Sequence, residues 1–227
     1  MKLSRIVWLF LEVMVATSIV VAQDEQNLSD EIKQRPVAGI DLNQVTEVDA
    51  FSRALQAAHV AGGIATLTTC GEQKRFLIVP MGPTLQDVLD AIVAANPGHR
   101  WYVNQGAVNL VASKNTLPLL DMMITDFNVE ATQTLDEIIR QISEAPEVQR
   151  GIARLHLSQG FNEVGLSSLE RPGFNATKTR GFALRLHNVT VRQALNAVAL
   201  AYGNAVWSYQ ESRCNETNEF VFSLLVQ

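Results

Sequence analysis

Two rhythms alternate along this chain. Ile40-Asp41-Leu42-Asn43 reads as a short strand, and Phe51, Ala54, Leu55 and Ala58 then recur at helical spacing. The pattern predicts a helix from about Val48, ended by Gly62-Gly63. Ile64 to Thr69 and Arg75 to Val79 alternate in the two-residue period of strands, around a turn at residues 70–74. Thr84 is placed to cap a second helix, with Leu85, Val88, Leu89, Ile92 and Val93 as its apolar face. Pro97-Gly98 stops that helix, and Arg100–Val103 with Ala107–Ala112 predict a hairpin around Asn104-Gln105-Gly106.

Phe76 to Val103 then recurs without a gap as Phe182 to Tyr209. Phe76 maps to Phe182, Thr84 to Thr190, Leu89 to Leu195, Ala91 to Ala197, Ala95 to Ala201 and Trp101 to Trp207. Upstream, Asp126-Phe127-Asn128 echoes Asp41-Leu42-Asn43, and Leu135, Ile138, Ile139 and Ile142 echo the first helical face. Thr134 with Glu137 forms a capping box. The second copy carries extra residues within Pro146–Gly181, including Arg171, Lys178 and Arg180. The expected organisation is two tandem modules, 37–115 and 119–227, joined by a linker containing Pro118. Each reads strand, helix, two strands, helix, two strands. The hairpins favour a small mixed or antiparallel sheet under the helices, so the fold class is α+β.

This order resembles the secretin and TonB short N-terminal domain, related to the N0 domain of secretins. The likeness is carried by Asp41-Leu42-Asn43, Phe51-x-x-Ala54-Leu55, Phe76 to Val79, Thr84-Leu85-x-x-Val88-Leu89-x-x-Ile92 and the hairpin Trp101 to Val111. The second copy supplies Phe182 to Leu186, Thr190-Val191-x-x-Ala194-Leu195-x-x-Val198 and Trp207 to Tyr209. The resemblance implies a Gram-negative envelope setting and a protein or peptide partner there.

Residues 1–22 read as a secretory signal: Lys2 and Arg5 precede an apolar run broken by Glu12. Residues 23–36 are polar and acidic, and predict a flexible lead-in. The formal charge is −5, and losing Lys2, Arg5 and Glu12 with the signal makes it more negative. That balance disfavours nucleic acid and anionic membrane surfaces as partners. After signal cleavage no membrane insertion is expected.

Candidate chemistry is sparse. His59, His99, His156 and His187 show no metal-ligand spacing, and no nucleophile elbow or phosphate loop occurs. Asp87, Asp90, Asp136 and Glu137 read as solvated helix faces. No catalytic residue, metal or cofactor is assigned. Trp101 and Trp207, equivalent in the repeat, read as core residues closing over the second helix of each copy. Cys70 and Cys214 fall at non-equivalent positions, so a disulfide between them ties module to module.

The copies differ most in the insertion at about 146–181. Its Phe161, Arg171, Lys178 and Arg180 are the candidate partner-binding residues, since loops on a rigid scaffold commonly carry binding function. Exposed sheet edges offer a second route, strand addition by a partner peptide. The leading expectation is a non-enzymatic exported adaptor. The alternatives are a small-molecule or glycan binder using the cleft between modules, and a hydrolase whose site has no recognisable motif.

Overall fold

Thr46, Thr84, Thr134 and Thr190 each start a helix in the computed structural model, which describes residues 25–69, 74–114, 117–160, 181–203, 205–214 and 217–225. Each hydroxyl accepts from the amide three residues on, satisfying a donor that the first helical turn leaves free. At Thr84, Thr134 and Thr190 the box is reciprocal, closed by Asp87, Glu137 and Gln193. The helices are α1 (residues 25–33), α2 (Glu47–Ala58), α3 (Leu85–Ala95), α4 (Leu135–Glu144), α5 (Pro146–Arg154) and α6 (Val191–Tyr202). The strands are β1 (Gly62–Thr69), β2 (His99–Asn104), β3 (Ala107–Ala112), β4 (Met123–Val129), β5 (Ser158–Gln159), β6 (Leu184–Thr190), β7 (Val206–Cys214) and β8 (Thr217–Leu225).

The class is α+β, but the sheets are not divided as two separate modules require. Six strands form one sheet in the order β2-β3-β1-β7-β8-β5, and β4 pairs with β6 in a second, two-stranded sheet. Two antiparallel hairpins, β2–β3 and β7–β8, each take a parallel neighbour, β1 and β5. The halves are then welded by β1 and β7, parallel over the register from Gly62↔Val206 to Thr69↔Arg213.

Alternate residues of β1 face opposite sides of the sheet. Ile64 packs with Val108, Leu110 and the apolar faces of α2 and α3, whereas Ala61 and Ala65 pack with Val111, Trp207 and the faces of α4 and α6. The helices of the first half therefore cover one face and those of the second half the other. Leu117, Leu119 and Leu120, on the stretch expected to be a linker, are buried in the second cluster of the pair. Chain reversal there is a packed turn, with Leu120 accepting from the Arg192 amide at 3.0 Å.

Several local expectations are corrected. Residues 25–33 of the supposed lead-in are helical: Gln26 bonds Asp30, Lys33 pairs with Asp30, and Ile32 enters the core at 3 % exposure. Arg75–Val79 does not form a hairpin with β1. Phe76 instead bridges Val45, and the Ile78 amide donates to Leu42. The stretch 40–43 likewise forms no regular strand, its Leu42 carbonyl accepting from the Ile78 amide at 3.1 Å. Part of the predicted insertion is α5 and β5, with Pro146 at the first turn of α5, where its missing amide is not needed.

Candidate functional site: the open edge of the six-stranded sheet

β2 lies at one end of the sheet and, among the described residues, pairs only with β3. The hairpin turns on Gln105 and Gly106, both with positive φ (51° and 80°), the geometry of a two-residue primed turn. Asn104 and Ala107 close that turn as a hydrogen-bonded pair, and the Ser113 amide donates to Gly98 at 2.8 Å at the other end. Antiparallel pairing alternates, so Asn104, Tyr102 and Arg100 spend their backbone groups on β3. Trp101 and Val103 present theirs outward, joined by the His99 carbonyl, while the His99 amide donates to the Asn96 carbonyl at 3.1 Å.

In the second half the equivalent edge is occupied. By the same alternation, Trp207 and Tyr209 turn their backbone groups from β8 toward β1. The Ala205 carbonyl accepts from the Gly62 amide at 3.2 Å, while its own amide donates to the Ala199 carbonyl. The side chains match as well. The Trp101 indole donates to Asp90 Oδ1 at 2.7 Å, and the Trp207 indole donates to Asn196 Oδ1 at 2.7 Å, each eleven positions back in sequence. Trp207 is fully buried, with Gly63 of β1 lying on its ring, while Trp101 is only half-buried.

Beneath the start of β2 sits a titratable pair. His99 Nδ1 stands 3.1 Å from Glu47 Oε1, off the line of a good hydrogen bond, and Asn96 Nδ2 donates to Glu47 Oε2 at 2.9 Å. Burial pushes the Glu47 carboxyl up to about 7, against the lowering effect of the Asn96 bond. Burial also pulls the His99 imidazole down. Sequence reading missed this pair, because neither residue belongs to a motif and their partners lie far along the chain.

Other candidates sit elsewhere. Leu77, Val79 and Met81 are exposed at 66, 71 and 100 %, alternating with the half-buried Phe76 and the buried Ile78, whereas the repeat has Ala183, Arg185 and His187 there. A groove beside β4 and α4 is lined by Phe127, Arg140, Glu144 and Glu147, among others, and a second by Asn128, Arg185 and His187. Both belong to the second half. The cleft expected between the copies is occupied by the β1–β7 pairing. Glu137 and Glu147 of the first groove are held below the usual carboxylate range by hydrogen bonds, from Thr134 for Glu137 and from a backbone amide and Thr125 for Glu147.

Phe161, Arg171, Lys178 and Arg180 lie outside the described residues, as does Cys70. Cys214 ends β7, its Sγ 3.6 Å from Ser212 Oγ. Among the histidines, His59 caps α2 in the left-handed conformation and His187 pairs with Asp126 at the surface. No cluster of three metal-ligating side chains occurs among the described residues, and no described helix is long and apolar enough to cross a membrane. Compared with known proteins, the chain matches no family model, no curated protein and no solved structure at a significant level.

Proposed function

We propose that this chain is a non-enzymatic, exported protein-binding module of a bacterial envelope that captures its partner by strand addition at β2. One observation carries the reading. The same strand position that receives β1 in the second half has no strand on it among the described residues of the first, and its tryptophan is half-buried. Unpaired edges of this kind recruit extended segments through main-chain hydrogen bonds. The signal-like residues 1–22 and the resemblance carried by Thr84 to Val111 support the envelope setting.

The test is a photo-crosslinking side chain at the exposed position Arg100, in the exporting cell. An adduct with one envelope protein is expected, lost when Val103→Pro removes an outward amide. Proline is tolerated on an edge strand where the amide is not in the ladder. An adduct of undiminished yield in Val103→Pro protein, with the melting temperature kept, overturns the reading.

A further inference from the structure

We infer that the strand accepted by β2 runs parallel to it and carries a glycine opposite Trp101. This rests on the reading of β2 as a docking edge and adds the chemistry of what docks.

The chain contains one worked example of the joint. β1 lies along the outward edge of β7 in parallel register, with Gly62 opposite Val206, Gly63 opposite Trp207, Ile64 opposite Ser208 and Ala65 opposite Tyr209. The step at Gly63 is sterically defined. A Cβ there falls 1.8 Å from Trp207 Cε2 and 2.1 Å from Cδ2, so no residue larger than glycine fits over the ring. The indole cannot swing aside, because its N–H is held by Asn196 and the ring is buried on all sides.

β2 reproduces the receiving half of this joint. Trp101 stands where Trp207 does, its N–H is held by Asp90 at the same 2.7 Å, and the outward backbone positions 99, 101 and 103 match 205, 207 and 209. What differs is the cover. Trp207 has a glycine strand over it and no exposure; Trp101 lacks that strand among the described residues and is only partly buried. The missing element is therefore a strand of β1's kind, about as long as β2's six residues, small at the residue over the indole. The joint is heterologous, one kind of edge meeting another, so occupying it on β7 does not use up the copy on β2.

The probe is a synthetic peptide with the Gly62–Thr69 sequence, flanked by lysines for solubility, titrated into the full chain labelled with 15N. Shifts at the amides of Trp101 and Val103 and at the Trp101 indole are expected. Replacing the glycine that corresponds to Gly63 by valine is expected to weaken binding at least tenfold, and Val103→Pro in the protein to abolish it. Equal binding of the glycine and valine peptides overturns the inference but leaves strand addition at β2 intact. So does absence of peptide binding at millimolar concentration when the Arg100 adduct still forms. If the adduct fails as well, the functional reading falls with it. Concentration-dependent self-association that shifts the same amides, with no peptide needed, also overturns the inference and makes a second copy the occupant.

Discussion

Glu47 and His99 meet inside the first half of the protein, 3.1 Å apart, each shifted by burial toward its neutral form. The two shifts act on stability with opposite sign. A carboxyl raised from 4.5 to about 7 contributes stability fully present below pH 4.5 and lost as the pH climbs through about 7. A depressed imidazole contributes stability present above its ordinary 6.5 and lost as the pH falls through its folded value. In the window between, the two dependences oppose one another in the wild type. Single substitutions unmask each limb. In Glu47→Gln, stability rises with pH up to about 6.5; in His99→Gln it falls between pH 4.5 and about 7, by on the order of 3 kcal/mol. Urea unfolding at four pH values checks both slopes, and parallel slopes in the two variants rule the pairing out.

Gly63 and Trp207 define the joint between the halves. Gly63→Ala is expected to cost at least about 1–3 kcal/mol, because the added carbon lands within the ring of a fully buried indole. Trp207→Leu in the same chain should recover part of that loss by making room. A Gly63→Ala protein that melts at the wild-type temperature contradicts the geometry.

The two tryptophan anchors separate burial from bonding. Asn196→Ala strands the Trp207 N–H in the core and is expected to cost about 1–3 kcal/mol. Asp90→Ala removes the same bond from Trp101, but at the surface, where water replaces the carboxylate; less than about 1 kcal/mol is expected. Chemical denaturation of both variants ranks them, and equal costs contradict the assignment.

Sequence periodicity revealed what is local and left out what is not. The faces of α2, α3, α4 and α6, the threonine caps and the turn at Gln105-Gly106 each follow from residues within a few positions of one another. β1 was legible as a strand but not its neighbours. Its true partners, Val108 to Val111 and Val206 to Arg213, are parallel and distant, and parallel pairing leaves no turn to read. The nearer Arg75–Val79 looked the natural hairpin partner, yet it bonds back to Leu42 and Val45. α1 was hidden by its polarity, being held by side-chain pairs and the single anchor Ile32. The edge at β2, unpaired on its outer side among the described residues, is a fact of topology, invisible until the order of strands is known; the Trp101–Trp207 match in sequence pointed to the core instead.

Thr69 and Arg213 are register partners in the β1–β7 joint, and a cysteine follows each of them in sequence, Cys70 and Cys214. A bridge between the two is expected in protein exported to an oxidising compartment. Closing so long a loop stabilises by up to about 4–5 kcal/mol in the chain-entropy account. Mass spectrometry after alkylation without reduction should find one internal disulfide, and reduction should lower the melting temperature. Quantitative alkylation of both thiols in unreduced, denatured protein excludes the bridge.

β1 has another consequence, for the order in which the protein is built. Both of its neighbours in the sheet lie C-terminal to it, and contacts such as Thr68 with Glu211 span 143 positions. As the chain emerges during synthesis, that glycine-led strand waits with an open flank until β7 is made. Long-range parallel pairing of this kind is intrinsically slow to form. Truncation before β7 would thus leave that flank of β1 unpaired, an edge open to other strands until the β7–β8 hairpin arrives.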